Sequence, residues 1–485
     1  MFFIKNQLND SFFDDINGQK LDKYQRKVVL DESNNLLVVA GAGSGKSLTI
    51  VAKIKYLIEK KGISASDILC LSFTNEAVNS LKSKINDNVN ILTFHKLALQ
   101  IIRHNCVTFT ISSDTLLEYV IDEYFHGILL NSFKSILLME YFHNDDIKKI
   151  VNSNNYQALK FNIISIIKKI KCNNLEIIDL YQIRKKCHNK DKILLIFALE
   201  ILYLYEEELQ SEEKMDFDDM IRKAKMIIEN GGYIHKYQYI IIDEYQDISY
   251  MRFMLIKEII QVTKAKLICV GDDYQSIYGF AGSKISLFLD FKKYFSNGKR
   301  IDIKNTYRNS YQLINITSRF IKKNKYQLRK NIKATFLLSH PIVIVYYDDL
   351  NKTYSALINY LYLEKCQNIM VLARYNNDFS KIHLIKDDVM NISYLTIHKA
   401  KGLECDDVIL LKVSNEFMGF PSKIVENHII EMIDNFDEEI NYAEERRLFY
   451  VALTRCKKRV YLLVPRRNPS IFVEEIKSSC VELLL

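Results

Sequence analysis

Eight consecutive residues, Ala40-Gly41-Ala42-Gly43-Ser44-Gly45-Lys46-Ser47, combine small side chains with one lysine and one terminal hydroxyl. Small residues let successive backbone N–H groups close around phosphate oxygens, and the positive end of a following helix favours the same negative charge. Lys46 is spaced to reach the β- and γ-phosphates of a nucleotide, and the Ser47 hydroxyl to sit on Mg²⁺. The pattern departs from its usual form only at Ala40, where glycine is common; a small residue there still permits the turn. A second set of groups lies far downstream, in Tyr239-Ile240-Ile241-Ile242-Asp243-Glu244-Tyr245-Gln246-Asp247. An apolar run ends there in two adjacent carboxylates. Adjacent side chains of a strand point to opposite sides, so the pair can divide its labour. Asp243 can hold Mg²⁺ through water while Glu244 activates an attacking water. Together the two segments contain the parts of a nucleoside-triphosphate hydrolysis site.

The elements that must position these groups are legible as patterns. The phosphate loop follows the apolar run NLLVVA (35–40) and precedes the helical run LTIVAKIKYLIEK. Further runs that read as buried strands are ILCLSF (68–73), YIIIDE (239–244), KLICVG (266–271), IVIVYY (342–347), NIMVLA (368–373) and DVILLK (407–412), with another near 460. Continuous apolar runs alternating with helical periods predict parallel sheets covered on both faces. The stretch from about 105 to 205 is Ile/Leu/Lys-rich, helical in period and nearly free of Gly and Pro, which predicts a helical insertion. The reading is therefore α/β, with a first domain over 1–291 carrying that insertion and a second over 292–485.

Composition narrows the classes. The chain has 485 residues, a net charge of +8, 48% hydrophobic and 26% charged residues, which is ordinary globular usage. The longest apolar stretch, Ile193 to Tyr205, is interrupted by Glu200 and is too short for a bilayer. The segment MFFIKNQLND lacks a basic region before a long apolar core, so no export signal and a cytoplasmic location are expected. Nine cysteines stand without any CxxC pair, which predicts reduced thiols and neither a zinc ribbon nor a redox motif. The modest positive charge is compatible with nucleic-acid binding and does not establish it.

Several segments, in order, resemble the UvrD/Rep-type superfamily 1 DNA helicases, closest to the helicase IV branch. Leu21-Asp22-Lys23-Tyr24-Gln25 is similar to the adenine-reading Q motif. LSFTNEAVNSLKSKI (71–85) resembles motif Ia, TFHKLA (93–98) motif Ib, and VGDDYQSIYGFAGS (270–283) motif III. MDFDDM (215–220) matches a further family element ahead of the DEYQD strand. NTYRNS (305–310) resembles motif IV, TIHKAKGLECDDVILL (396–411) motif V, and EERRLFYVALTRCKKRVYLL (444–463) motif VI.

The resemblance implies two RecA-like domains of the P-loop NTPase type with ATP between them. The first would supply Lys46, Ser47, Asp243, Glu244 and Gln275, the last sensing the γ-phosphate, with Gln25 on the adenine edge. The second would supply Arg308 and Arg455 as arginine fingers, Tyr307 stacked on adenine and Glu404 on the ribose. Single-stranded or tailed DNA would cross Phe73, Tyr278 and Phe280, with His95 and His398 near its backbone and Thr74 and Thr93 donating to phosphates. Phe280 stands where the family usually has tryptophan and Ala281 where it often has arginine, which should weaken base stacking and phosphate grip. Only Ser310 to Leu395 is available for the family's 2B subdomain, so 2B is expected to be absent or minimal. The implied activity is a DNA-stimulated ATPase and 3′–5′ single-strand translocase or helicase in repair, replication or defence. Two alternatives differ in partner. One is a motor subunit of an antiviral complex with a nuclease subunit. The other is an RNA-polymerase remodelling ATPase, a role expected to need a long protruding arm that the residues before Leu21 are not expected to supply.

Overall fold

The computed structural model describes residues 8, 10–85, 87–113, 115–128, 132–144, 146, 149–150, 153–385, 390–424, 427–434 and 442–485. The expectation about an export signal falls mostly on residues 1–7 and 9, outside that set.

Two six-stranded parallel sheets organise the chain. The first contains β1 (Asn35–Ala40), β2 (Ile68–Ser72), β3 (Asn90–Thr93), β4 (Tyr239–Ile242), β5 (Lys266–Gly271) and β6 (Lys299–Ile303), in spatial order β3-β2-β4-β5-β1-β6. The second contains β7 (Ile342–Tyr347), β8 (Asn368–Ala373), β9 (Asn391–Thr396), β10 (Asp407–Leu410), β11 (Val460–Pro465) and β12 (Val481–Glu482), in order β9-β8-β10-β11-β7-β12.

The apolar runs are continuous because each sheet has a core on both faces. Along β1, Leu37 and Val39 enter one core, while Leu36, Val38 and Ala40 enter the opposite one. Along β7, Ile342 and Ile344 divide from Val343 and Val345 in the same way. Each such Leu, Ile or Val side chain contributes about 1.5–3 kcal/mol by leaving water.

Helices α1 (Lys23–Leu30), α2 (Lys46–Glu59), α3 (Asn75–Lys82) and α4 (Phe94–His104) precede the insertion. Their starts are written locally. Asp22 and Gln25 form a capping box on α1, and Thr74 and Thr93 accept N-cap hydrogen bonds from Ala77 and Lys96. The insertion is α5 (Thr115–Ile128), α6 (Ser132–Phe142), α7 (Asn154–Asn173), α8 (Ile177–Lys186) and α9 (Asn189–Ser211). It runs past the expected 205, because the good helix formers after Tyr205 continue α9 to Ser211. A short parallel pairing of Thr110–Ile111 with Lys214–Met215 closes its base. Helices α10 (Phe217–Glu229) and α11 (Tyr250–Thr263) return to the first sheet.

The second domain adds α12 (Tyr311–Ile321), α13 (Leu350–Leu363), α14 (His428–Asp434), α15 (Ala443–Leu453) and α16 (Ile471–Ile476). Helix α14 leaves its own sheet: Ile429, Ile430 and Ile433 are buried in the core of the helical insertion. Between Ser310 and Leu395 the described elements are α12, the strand Lys333–Ala334, β7, α13, β8, a 3₁₀ turn at Asn376–Lys381 and β9.

One expected boundary moves. The first sheet does not end by residue 291, since β6 pairs in parallel with β1 through Leu36↔Lys299 to Ala40↔Ile303. As an edge strand, KRIDI needs no continuous apolar run.

Candidate active site

The phosphate loop and the acidic groups of the first domain hang from the carboxyl ends of its strands, where open parallel sheets place ligands. The phosphate loop follows β1, Asp243 and Glu244 follow β4, and Asp272–Gln275 follows β5. Gly45 is the left-handed N-cap of α2, with φ +78°. Gly43 also has positive φ, and a Cβ there would lie 2.3 Å from Arg308 Cβ. Glycine at that position therefore serves the close approach of the 306–308 segment. Tyr307 N donates to Gly43 O at 2.9 Å and Thr306 Oγ1 to Ala42 O at 2.7 Å.

A cavity of about 880 Å³ opens over this loop. Gly41 to Ser47, Asp243, Glu244 and Gln275 line it from the first domain; Tyr307, Arg308, Glu404 and Arg455 line it from the other side. Ala40 is buried at the end of β1, behind the loop.

The charged groups of the cavity are held in pairs, two within one side and one, Arg455 with Gln275, across it. Lys46 Nζ lies 3.3 Å from Glu244 Oε1. Arg308 Nε donates to Glu404 Oε2 at 2.8 Å, and Arg455 Nη2 donates to Gln275 Oε1 at 2.9 Å. Arg455 is 1% exposed, and burial lowers its pKa to about 9, so it remains a cation at neutral pH. Glu244 adopts a left-handed backbone, φ +51°, a cost for a non-glycine residue that is characteristic of functional strand ends. Burial and the neighbouring Glu244 raise the Asp243 pKa. Burial also opposes ionisation of Glu244, but Lys46 and Lys401 outweigh it and hold that carboxyl low. The adjacent acids are thus driven apart, Glu244 toward the ionised form that a general base needs.

The donor set fits a magnesium nucleotide. Ser44 Oγ is buried in the loop with no protein partner, which leaves a donor for a phosphate oxygen. Ser47 and Asp243 bring oxygen ligands, the chemistry Mg²⁺ takes. Gln25 is 1% exposed, and its amide is engaged inside the protein: Oε1 accepts from Asp22 N at 2.9 Å and Nε2 donates to Ser44 O at 3.0 Å. One N–H and one lone pair are left over for a base edge. Tyr307 is half-exposed, and its hydroxyl donates to Asp22 Oδ2 at 2.9 Å.

The aromatic residues expected on DNA divide into two groups. Tyr278, Phe280 and His398 form one cluster that spans both domains. Tyr278 OH donates to His398 O at 3.1 Å, and Phe280 meets the His398 ring edge-on at 5.3 Å. Phe280 is 57% exposed, as a stacking face must be. Phe73 belongs to a second group, packed at 5.1 Å on Phe94 beneath the Arg252 guanidinium, and His95 lies 4.9 Å from Phe217. Thr74 and Thr93 serve as N-caps, so their hydroxyl oxygens accept from backbone while the hydroxyl hydrogens stay available. Phe73, Thr74 and Tyr278 also line the same cavity, so the two surfaces meet there.

One important group has no counterpart in the sequence reading. Lys401 joins the two domains, with Nζ 2.5 Å from Asp247 Oδ2 and 2.7 Å from Gln275 O. Its partners are 154 and 126 residues away in the chain, so no local pattern announces them.

Residues 21–296 match the family model for the UvrD/REP helicase N-terminal domain, and residues 380–466 that for the UvrD-like helicase C-terminal domain. DNA helicase IV of Escherichia coli K12 is 29% identical over 96% of this chain and 71% of its own length. A probable DNA helicase II homolog of Mycoplasma capricolum is 31% identical over 67% of this chain, and ATP-dependent DNA helicase PcrA of Bacillus subtilis 27% over 68%. The chain spans 43% and 42% of those two proteins. Among the described residues no helix is long and apolar enough to cross a membrane. The chain belongs to the UvrD/REP helicase family, a family of ATP-dependent DNA helicases.

Proposed function

We propose that this UvrD/REP family member hydrolyses ATP with Mg²⁺ in the cavity between its domains and uses the resulting motion to travel 3′–5′ along single-stranded DNA. One observation carries the reading: Lys46 and Glu244 from one side and Arg308 and Arg455 from the other line the same cavity. In this pocket Glu244 takes a proton from the attacking water as its oxygen bonds the γ-phosphorus and the bond to the β-phosphate oxygen breaks. Lys46 and the two guanidiniums stabilise the charge that spreads over the transferring group. Ser47 and Asp243 would hold Mg²⁺, which would supply further charge neutralisation on the phosphates.

Because the groups come from both domains, hydrolysis and domain closure are tied together. The Tyr278–Phe280–His398 cluster spans the same cleft, so closure also moves the surface on which bases stack. Stacking tracks a strand without reading it, at about 1–3 kcal/mol per base. The described elements between residues 310 and 395 leave little room for a further subdomain, so translocation is expected to exceed duplex unwinding by the lone chain.

The test is ATP hydrolysis measured without nucleic acid and with single-stranded, tailed, duplex and RNA ligands. Stimulation by single-stranded and tailed DNA supports the reading; equal rates with and without DNA refute the coupling. Release of a label from the 5′ but not the 3′ end of single-stranded DNA checks polarity.

A further inference from the structure

Lys330 is a buried cation that the hydrolysis site does not use. It lies in the strap between α12 and the strand Lys333–Ala334, with 4% of its side chain exposed. Its ammonium hydrogen-bonds Asp272 Oδ1, pairs with Asp273 Oδ1 at 2.5 Å and sits 3.7 Å from the centroid of the Tyr274 ring. The strap itself is fastened to both domains. Gln327 Nε2 donates to Asp273 O at 2.9 Å and Leu328 N to Asp273 Oδ2 at 2.8 Å. Tyr274 OH donates to Leu328 O at 3.0 Å, and Asn324 Nδ2 to Ala443 O, at the start of α15, at 3.0 Å. Lys330 is thus fixed where the two domains join.

One carboxylate would neutralise one ammonium, so the ion pair alone does not explain both aspartates. The second oxygen of Asp272 accounts for it. Asp272 Oδ2 accepts from Gln275 Nε2 at 2.5 Å, and this turns Gln275 Oε1 toward Arg455 Nη2 at 2.9 Å. The two ends of a glutamine amide are nearly the same size, so its orientation is set by its partners. An ionised carboxylate can only accept, which holds the NH₂ end toward Asp272 and leaves the oxygen for the guanidinium. A protonated Asp272 could donate to that oxygen. The amide would then turn over and set two donors, NH₂ and guanidinium, against each other. Burial favours this protonated form, and Lys330 together with Lys46 opposes it.

We propose that Lys330 is a positioning residue for ATP hydrolysis: it fixes the Asp272 carboxylate, and through it the Gln275 amide and the Arg455 guanidinium. It is not among the residues that line the cavity. The inference rests on the proposed function, in which Arg455 acts on the transferring phosphoryl group. A relay of this kind ties the finger to the strap, so the finger is presented correctly only while strap and first domain stay packed together.

The experiment is a double-mutant cycle on DNA-stimulated ATP hydrolysis, with Lys330→Met, Gln275→Ala and their combination. For Lys330→Met we expect kcat to fall about tenfold or more with KM for ATP within about twofold. Adding Lys330→Met to Gln275→Ala should cost less than about twofold more, because both changes break the same relay. A merely structural lysine would give losses that multiply, and that outcome overturns the proposal, as does a kcat within about twofold of wild type in Lys330→Met. If Lys330→Met alone melts below the assay temperature, Asp273→Asn with Lys330→Met carries the same test, since it removes one buried charge of each sign. Its loss must likewise vanish on the Gln275→Ala background, and a multiplied loss overturns the proposal. Wild-type protein that hydrolyses no ATP with any DNA overturns the proposed function itself, and that result is distinct from a wild-type motor indifferent to Lys330.

Discussion

The nucleotide side of the cleft and its aromatic side are built on opposite principles. Around the nucleotide cavity the reactive charges are locked in protein pairs: Lys46 with Glu244, Arg308 with Glu404, Arg455 with Gln275. Two of the three pairs hold arginines, Arg308 and Arg455, that approach the loop from beyond the first sheet. On the aromatic side Phe280 is an exposed ring and Thr74 and Thr93 are local helix caps. Its distant contacts are mostly ring packing, Phe280 on His398 and His95 on Phe217, with one hydrogen bond, from Tyr278 to His398. The difference teaches where precision is needed. Phosphoryl transfer rests on charges fixed before reaction, whereas tracking a strand needs faces that tolerate any base.

The comparison is most easily broken at the nucleotide side. Glu244→Gln keeps the shape of the acid pair and removes its base, so hydrolysis should fall about 10²–10⁴-fold while the protein stays folded; near-normal rates in a stopped-flow phosphate-release assay would remove Glu244 from the chemistry. On the aromatic side the effects are graded. Phe280→Ala should weaken single-stranded DNA binding by about 1–3 kcal/mol, read as a higher DNA concentration for half-maximal stimulation. Phe280→Trp should move that concentration the other way, and a shift in the same direction for both variants would show that the ring does not stack. Thr93→Ala removes the α4 cap and should cost about 1 kcal/mol of stability, seen in urea unfolding.

The smallest effect is a pH dependence. Burial lowers the pKa of both His95 and His398 to about 4. The folded protein therefore keeps both rings neutral where the unfolded chain, with an ordinary imidazole pKa of about 6.5, takes up protons. Stability that both rings permit above pH 6.5 is lost as pH falls toward 4. Melting temperatures of wild type and His398→Gln between pH 7 and 5 test this: the wild-type decline should be the steeper, and parallel curves would place His398 in water.

The same contrast explains what could be read without coordinates. The apolar runs anticipated as strands became β1, β2, β4, β5, β7, β8, β10 and β11, the inner strands of both sheets. Those passed over, β3, β6, β9 and β12, are the edge strands. An edge has one neighbour and needs no unbroken apolar run, as KRIDI and NISYLT illustrate. The phosphate loop and the acid pair were visible because their chemistry is written in consecutive residues. The partners of Lys401 and Lys330 were not, because those ion pairs join residues 154 and 58 positions apart. The docking of α14 on the helical insertion was hidden for the same reason: its isoleucines look like any amphipathic helix until their neighbours are known.

The account stands or falls on Arg308, whose segment approaches the loop from outside the first sheet and whose side chain is not needed to bury a core. Fluorescent ATP-analogue affinity and single-stranded-DNA-stimulated turnover, measured together on Arg308→Ala, test it most directly. The account expects affinity to change by less than about tenfold while turnover drops about 10³-fold or more. Turnover at the wild-type rate would contradict it, because the opposite side of the cleft would then contribute nothing to the reaction.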